Sequence, residues 1–247
     1  MAEFKCEKVL PYTDSEEGKK EQISKMFDHI ADVYDPMNRL MSLGQDRCWR
    51  KKAIRRLGDF SPKRILDVAT GTGDFAIQAA QSLNPDYVLG IDISEGMMEV
   101  GKQKVQQLGL SDKIFFEYGD STALSLSSDS FDAVTVAFGV RNFSSLSDGL
   151  KQMFRVLKKG GVAAILEMTE PENVFFKLGY KIYTKIGIPV LAKLMSGEIN
   201  AYNYLPASIE AFPQGEEMKK LLIESGFSKV EIKKFTLQTC TFYLAIK

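Results

Sequence analysis

The chain has 247 residues, with 32 Lys and Arg set against 32 Asp and Glu, and 45% of it is hydrophobic. This supplies a sizeable core and an ordinary charged surface, and it argues against a disordered chain or one whose main task is to neutralise a nucleic-acid backbone. One histidine, His29, and three scattered cysteines, Cys6, Cys48 and Cys240, give no zinc site of several imidazoles, no disulfide scaffold and a poor basis for a His-dependent nucleophilic centre.

Residues 1–18 are polar and read as a loose arm, with charges throughout and no apolar segment of a signal peptide. No run approaches the roughly 18 apolar residues that a membrane span needs. The expected setting is a reducing cytoplasm, with no metal. Residues 20–33 then read as a helix, because Ile23, Met26, Phe27 and Ile30 recur at helical spacing. Tyr34-Asp35-Pro36 is expected to end it, since the residue before proline avoids the helical region. A second helix is expected over 46–58, with Trp49, Ala53, Ile54 and Leu57 on its apolar side.

From there strand and helix alternate. Strands are predicted at 64–69, 87–91, 113–118, 130–138 and 161–166, and helices at 74–83, 95–108 and 146–157. Strands separated by helices of this length mean βαβ units and a mainly parallel sheet. After a helix at 217–225, stopped by Gly226, residues 230–235 and 240–246 are two strands whose link is too short for a parallel crossover, so an antiparallel hairpin is expected.

Residues 174–196 stand apart. The stretch is greasy, and Lys177, Lys181 and Lys185 lie four apart on one helical face. Two readings fit: a cover helix whose lysines face water, or a surface that docks on a membrane or a greasy ligand.

The strongest local signal is the run from Ile65 to Ala76, ILDVATGTGDFA, between a predicted strand and a predicted helix. Gly71 and Gly73 let the backbone turn tightly and approach a ligand, and the helix start behind them offers amide donors. Asp92 ends the next strand, where it can accept both hydroxyls of a ribose or simply cap a helix ahead of Ser94. Asp120 ends the third, where it can accept from an adenine amino group or simply make a turn. Gly71, Gly73 and Ala76 also match G-x-G-x-x-A, so a nicotinamide enzyme competes on this motif alone. Asp67 within the strand, expected to organise the loop amides and attract an ammonium group, and Asp120 favour instead an adenosyl ligand with a cationic amino-acid tail.

These residues, with the C-terminal hairpin, resemble a class I S-adenosylmethionine-dependent methyltransferase. More narrowly the chain resembles the ubiquinone/menaquinone C-methyltransferase family. The resemblance covers nearly the whole chain and is carried by IADVYDPMNRLMSLG at 30–44, RCWR at 47–50, FGVRN at 138–142 and YNYLPASIEAFP at 202–213. It implies a Rossmann-like α/β fold: a mainly parallel seven-stranded sheet closed by the hairpin, an arm and helical cap over 1–60, and a methyltransferase domain over 61–247 with 171–213 as a substrate-binding lid. It implies S-adenosylmethionine as cofactor, with Thr70 and Gly71 at its methionine part, Asp92 and Ile93 at the ribose, Asp120 and Ser121 at the adenine, and backbone contacts from Ala137, where the family usually has another small residue. Gly73 completes the set.

The reaction that the resemblance implies is methylation of a ring carbon of demethylmenaquinol. The alternatives are a ubiquinone precursor or another small phenol, or a non-catalytic subunit of a quinone-biosynthesis complex. The acceptor must be reduced, because a quinone ring is electrophilic whereas a phenolate ring carbon can attack a sulfonium methyl group. Arg141 follows the fourth strand, on the edge where an open α/β sheet binds ligands. It is expected to hold the phenolate oxygen, or else to pair with Asp35 or Asp132. Asn142 joins it, Tyr202 is expected to relay the hydroxyl proton, Asn203 and Tyr204 to form walls, and Tyr34 and Asn38 to close the pocket. His29 is expected to be structural. A lipid quinol substrate makes 174–196 a docking element for peripheral contact with the inner face of the cell membrane, and a homodimer is compatible with all of this.

Overall fold

A computed structural model describes residues 4–187 and 199–247, with the side chains of Lys185, Ile186, Ile199, Asn200 and Tyr202 outside that description. Three helices precede the sheet: the short α1 (Lys5–Lys8), α2 (Lys19–Met41) and α3 (Gln45–Leu57). Then β1 (Arg64–Val68), α4 (Asp74–Leu83), β2 (Tyr87–Asp92), α5 (Glu95–Gln107), β3 (Ile114–Tyr118), β4 (Phe131–Ala137), α6 (Leu146–Val156) and β5 (Leu157–Met168) form the repeating frame. α7 (Val174–Ile182), α8 (Ile199–Ala211) and α9 (Glu216–Glu224) follow, and β6 (Lys229–Phe235) and β7 (Cys240–Ile246) close the chain.

The seven strands make one sheet in the order β3-β2-β1-β4-β5-β7-β6. β1 to β5 pair in parallel, whereas β7 runs antiparallel to both β5 and β6. This is the sheet and hairpin that the sequence predicts. β1 and β4 lie at its centre and are buried almost throughout because helices cover both faces. The two central strands separate the chain's two main apolar cores, one packed under α6 and α9, the other under α3 and α4. A third, smaller cluster joins α2 to α8 through Ile23, Met26, Ile30, Met37, Ala201 and Tyr204.

Two elements differ from expectation. α2 does not stop before Pro36 but runs through it to Met41. Proline costs the helix one amide donor, that to the carbonyl of Asp32. Pro36 and Asp32 are both exposed, while Met37 is buried in the apolar cluster that joins α2 to α8 and carries the helix past the proline. β5 is longer than 161–166, because an irregularity between Phe131 and Ala133 lets Leu157 pair with Phe131 while Val162 pairs with Ala133.

The arm is not loose. Cys6 of α1 is fully buried in the core. The Lys19 ammonium, itself buried, donates to the carbonyls of Cys6 (2.7 Å) and Arg141 (3.2 Å). Burial pushes its pKa down to about 8. Glu7 accepts from the Leu146 amide at the start of α6 (2.7 Å), a favourable position for an anion.

Candidate active site

The loop after β1 is built from left-handed turns: Ala69, Gly71 and Gly73 have φ of 50°, 55° and 75°. The Thr70 amide donates to the Ile91 carbonyl and the Gly73 amide to the Thr70 carbonyl, which fixes the loop between two strand ends. A second turn, after β4, presses against it. A Cβ at Gly139 would lie 2.6 Å from that of Ala69, so only glycine permits this approach. The neighbouring Phe138 has φ 62°, an unfavourable conformation for a bulky residue and one that concentrates at functional sites.

The three acids behave differently. Asp67, 1% exposed, accepts from the hydroxyls of Thr70 (2.6 Å) and Thr135 (2.5 Å). Burial raises its pKa to about 6. Its bonds are thus to hydroxyls, which corrects the expectation that it organises the loop amides. That role falls to Asp92, which accepts from the amides of Gly71 (2.7 Å) and Ser94 (2.9 Å), and whose pKa burial also raises. Asp120 accepts from the Thr122 amide (2.8 Å) and hydroxyl (2.7 Å) and faces Lys20 (3.3 Å). Burial pushes its pKa up, but these partners outweigh that and hold it below the usual carboxylate range.

Two cavities open on this edge of the sheet. The first, of about 650 Å³, is lined by Gly71, Asp92, Ile93, Asp120, Ser121 and Ala137, with Asn142 and Tyr34 at one end. Asp67 and Thr70 border a smaller recess of about 320 Å³ that shares Gly71 and Ala137 with it. The second, of about 930 Å³, is largely apolar and lies between α2, α3, α7 and α8, with Tyr34, Asn38, Arg141, Tyr180 and Tyr204 on its walls. The two cavities share Phe27, Tyr34 and Phe138. Gly73 lines neither and serves as the left-handed residue before α4.

Arg141 is 6% exposed and is held from several sides. Its guanidinium donates to Glu167 (2.7 Å), to Ser208 (3.3 Å) and to the Phe138 carbonyl, and its backbone amide donates to the other Glu167 oxygen (3.2 Å). The expected partners are engaged elsewhere: Asp35 with Lys104 (2.7 Å) and Thr72 (2.7 Å), Asp132 with Lys158 (2.7 Å). Glu167, fully buried at the end of β5, was not singled out from the sequence. An acid directly following the apolar run of 161–166 was the available signal. The Tyr204 hydroxyl donates to Asn142 (2.9 Å), linking the second cavity to the first.

The expected walls are divided. Tyr204 is buried and lines the second cavity, whereas Asn203 is exposed and lines neither. Neighbours on a helix point about 100° apart, and here one turns into the cavity and the other out to solvent. The Tyr202 side chain lies outside the described residues. His29 is exposed, with its ring against the Lys25 carbonyl (2.8 Å), far from a catalytic arrangement.

The first cavity suits an adenosyl ligand. It offers two strand-end carboxylates for hydroxyl or amino donors, with apolar Ile93 and Met97 beside them. Comparison with known proteins agrees. The profile of the ubiE/COQ5 methyltransferase family matches residues 14–247. A demethylmenaquinone methyltransferase of Bacteroides fragilis is 53% identical over 242 residues, 98% of each chain. One of Porphyromonas gingivalis is 44% identical over the same shares. A ubiquinone/menaquinone biosynthesis C-methyltransferase of Geobacter sulfurreducens is 40% identical over 99% of this chain and 95% of its own. Among solved structures, a SAM-dependent methyltransferase from Aquifex aeolicus superposes with a TM-score of 0.61 at 18% identity, over 86% of this chain and 97% of its own, a likeness of fold alone.

Proposed function

The chain belongs to the ubiE/COQ5 methyltransferase family, and from that premise we propose that it methylates a ring carbon of demethylmenaquinol to give menaquinol. It is an S-adenosylmethionine-dependent C-methyltransferase. The observation that carries the proposal is the meeting of an acid-rimmed cavity and an apolar cavity at Phe27, Tyr34 and Phe138, with a buried arginine on the apolar side.

When bound, S-adenosylmethionine supplies an electrophilic methyl group. Asp92 would hold its ribose, Asp120 and Ser121 its adenine, and Thr70, Gly71 and Asp67 the neighbourhood of its methionine part. The remaining work belongs to the acceptor side. The apolar cavity takes the fused ring and the start of the isoprenoid tail and excludes water. Arg141, desolvated and fixed by Glu167, favours the ionised over the neutral acceptor hydroxyl. The phenolate then concentrates electron density on the ring carbon that receives the methyl group and afterwards loses its proton. Tyr34 and Phe138, common to both cavities, keep the two reactants in line. Residues 1–60 and 171–213 act as one acceptor cap on the remaining frame.

A long-tailed acceptor resides in a bilayer, and α7 supports a meeting there. Val174, Phe175, Leu178 and Ile182 share one helical face and are 78%, 86%, 64% and 55% exposed. On the same helical segment Tyr180 and Tyr183 line the acceptor cavity. We take this face to rest peripherally on the inner side of the cell membrane. Lys177 is engaged with Glu170 (2.9 Å), so apolar contact rather than lysine charge dominates. Liposome flotation of the wild type and a Phe175→Glu, Leu178→Glu variant checks this: at least about a tenfold loss of bound protein is expected, and equal binding refutes it. The activity is tested by methyl transfer from labelled S-adenosylmethionine to reduced demethylmenaquinone and to the reduced ubiquinone precursor. Transfer to the first supports the proposal; transfer to the second alone, or to neither, rejects it.

A further inference from the structure

Four phenols among the described residues line the apolar cavity: Tyr34, Tyr180, Tyr183 and Tyr204. Three have partners within the protein. Tyr204 donates to Asn142 (2.9 Å), Tyr183 donates to the Met41 carbonyl (2.8 Å), and Tyr34 has the Asn38 side chain against it. The Tyr180 hydroxyl is buried and has no hydrogen-bond partner among the described residues. A buried hydroxyl without a protein partner is a cost that proteins rarely carry unless something else meets the group. The site is not remote from the chemistry, since the charges of Arg141 and Glu167 both reach the phenol. Tyr180 sits on α7, and the Thr184 hydroxyl just beyond that helix donates to the Tyr180 backbone carbonyl (3.0 Å).

We propose that Tyr180 donates a hydrogen bond to a ring oxygen of the acceptor, and that this bond makes the cavity select an oxygen-bearing aromatic ring over a hydrocarbon ring of the same size. The assignment rests on the reading of the apolar cavity as the acceptor site. A reduced acceptor has oxygens on opposite sides of its ring. Arg141 addresses one as an anion, and a neutral donor suits the other, which remains a hydroxyl. Two such contacts fix the ring's rotation as well as its depth, and so decide which ring carbon faces the first cavity. A site built around a polar group discriminates strongly against analogues that leave it unpaired.

The chain's single tryptophan, Trp49, lines the same cavity, so quenching of its fluorescence reports acceptor binding without turnover. The probes are a prenylated naphthohydroquinone, kept reduced without oxygen, and its two monohydroxy counterparts, each lacking one ring oxygen. Tyr180→Phe keeps the ring and deletes only the hydroxyl. The expected result is about a tenfold weaker Kd for the hydroquinone, no such penalty with the naphthol lacking the contacted oxygen, and the penalty retained with the other. The melting temperature of Tyr180→Phe should not fall, because the deleted hydroxyl bonds nothing among the described residues. Equal Kd values for the hydroquinone, a penalty that persists with both naphthols, or a lowered melting temperature with general loss of binding would overturn the assignment. Wild-type protein that binds the hydroquinone but does not methylate it would reject the proposed reaction and leave Tyr180 standing.

Discussion

The two cavities that meet at Tyr34 are made of different material. The acid-rimmed one is formed mostly by the ends of β1, β2, β3 and β4, left-handed turns at Ala69, Gly71 and Phe138, and carboxylates already gripped by amides, with α2 along one side. The apolar one is formed by side chains from two helix pairs far apart in sequence, α2 with α3 and α7 with α8, and its polar wall carries Arg141, paired with Glu167, and Asp46, paired with Arg50. Both need α2, which puts Phe27 and Tyr34 on their shared wall, but only the second needs α3, α7 and α8. Donor binding and acceptor binding should accordingly respond to different mutations.

The largest effect should come from Arg141→Met. It removes the cation from the acceptor cavity and leaves the fully buried Glu167 carboxylate without its partner. Methyl transfer should fall by at least about a thousandfold, and unfolding stability by about 3–5 kcal/mol. Adding Glu167→Gln should restore the melting temperature and not the turnover. A double variant that turns over normally would mean that the acceptor wall does not act through charge.

Next is Asp92→Ala, which removes a two-oxygen acceptor from the donor side. Cofactor affinity measured by calorimetry should drop roughly a hundredfold, with quenching of Trp49 by the acceptor probe retained. Loss of both would show that the cavities are not separable.

The smallest effect concerns Asp67. Burial raises its pKa from 3.8 to about 6. The folded protein therefore holds this proton more tightly than the unfolded chain, so its contribution favours folding below 3.8 and is lost as pH rises through about 6. Asp67→Asn removes that dependence. Without cofactor the variant should melt higher than wild type at alkaline pH, while binding the cationic cofactor about tenfold more weakly. Parallel melting curves for the two proteins across this pH window would reject the account.

The same division explains what could be read from the sequence. The strands, the helices between them and the loop from Asp67 to Ala76 are set by local periodicity and by glycines whose φ values only a few residues tolerate, so their positions follow from short stretches. The acceptor side depends on meetings that no short stretch encodes. Arg141 finds Glu167 across 26 residues and Ser208 across 67. Asp35 is claimed by Lys104, 69 residues away, which is why neither acid proposed for Arg141 is its partner. Pro36 marks a helix end by local rules, and tertiary burial of Met37 overrides them. Asn203 and Tyr204 were grouped as neighbours in a motif, although a helix turns one inward and the other out.

The docking of α1 bears on timing. Glu7 binds the amide of Leu146, 139 residues later, and Lys19 the carbonyl of Arg141, 122 residues later. During synthesis the earliest segment must wait, exposed, until β4 and the turn after it have emerged before it meets these groups. Contacts of such separation form slowly and late. The donor cavity's lining is complete at Ser144, whereas α1 also packs on α8, which is made later, so a nascent chain should acquire cofactor affinity before it can protect Cys6 from a thiol reagent.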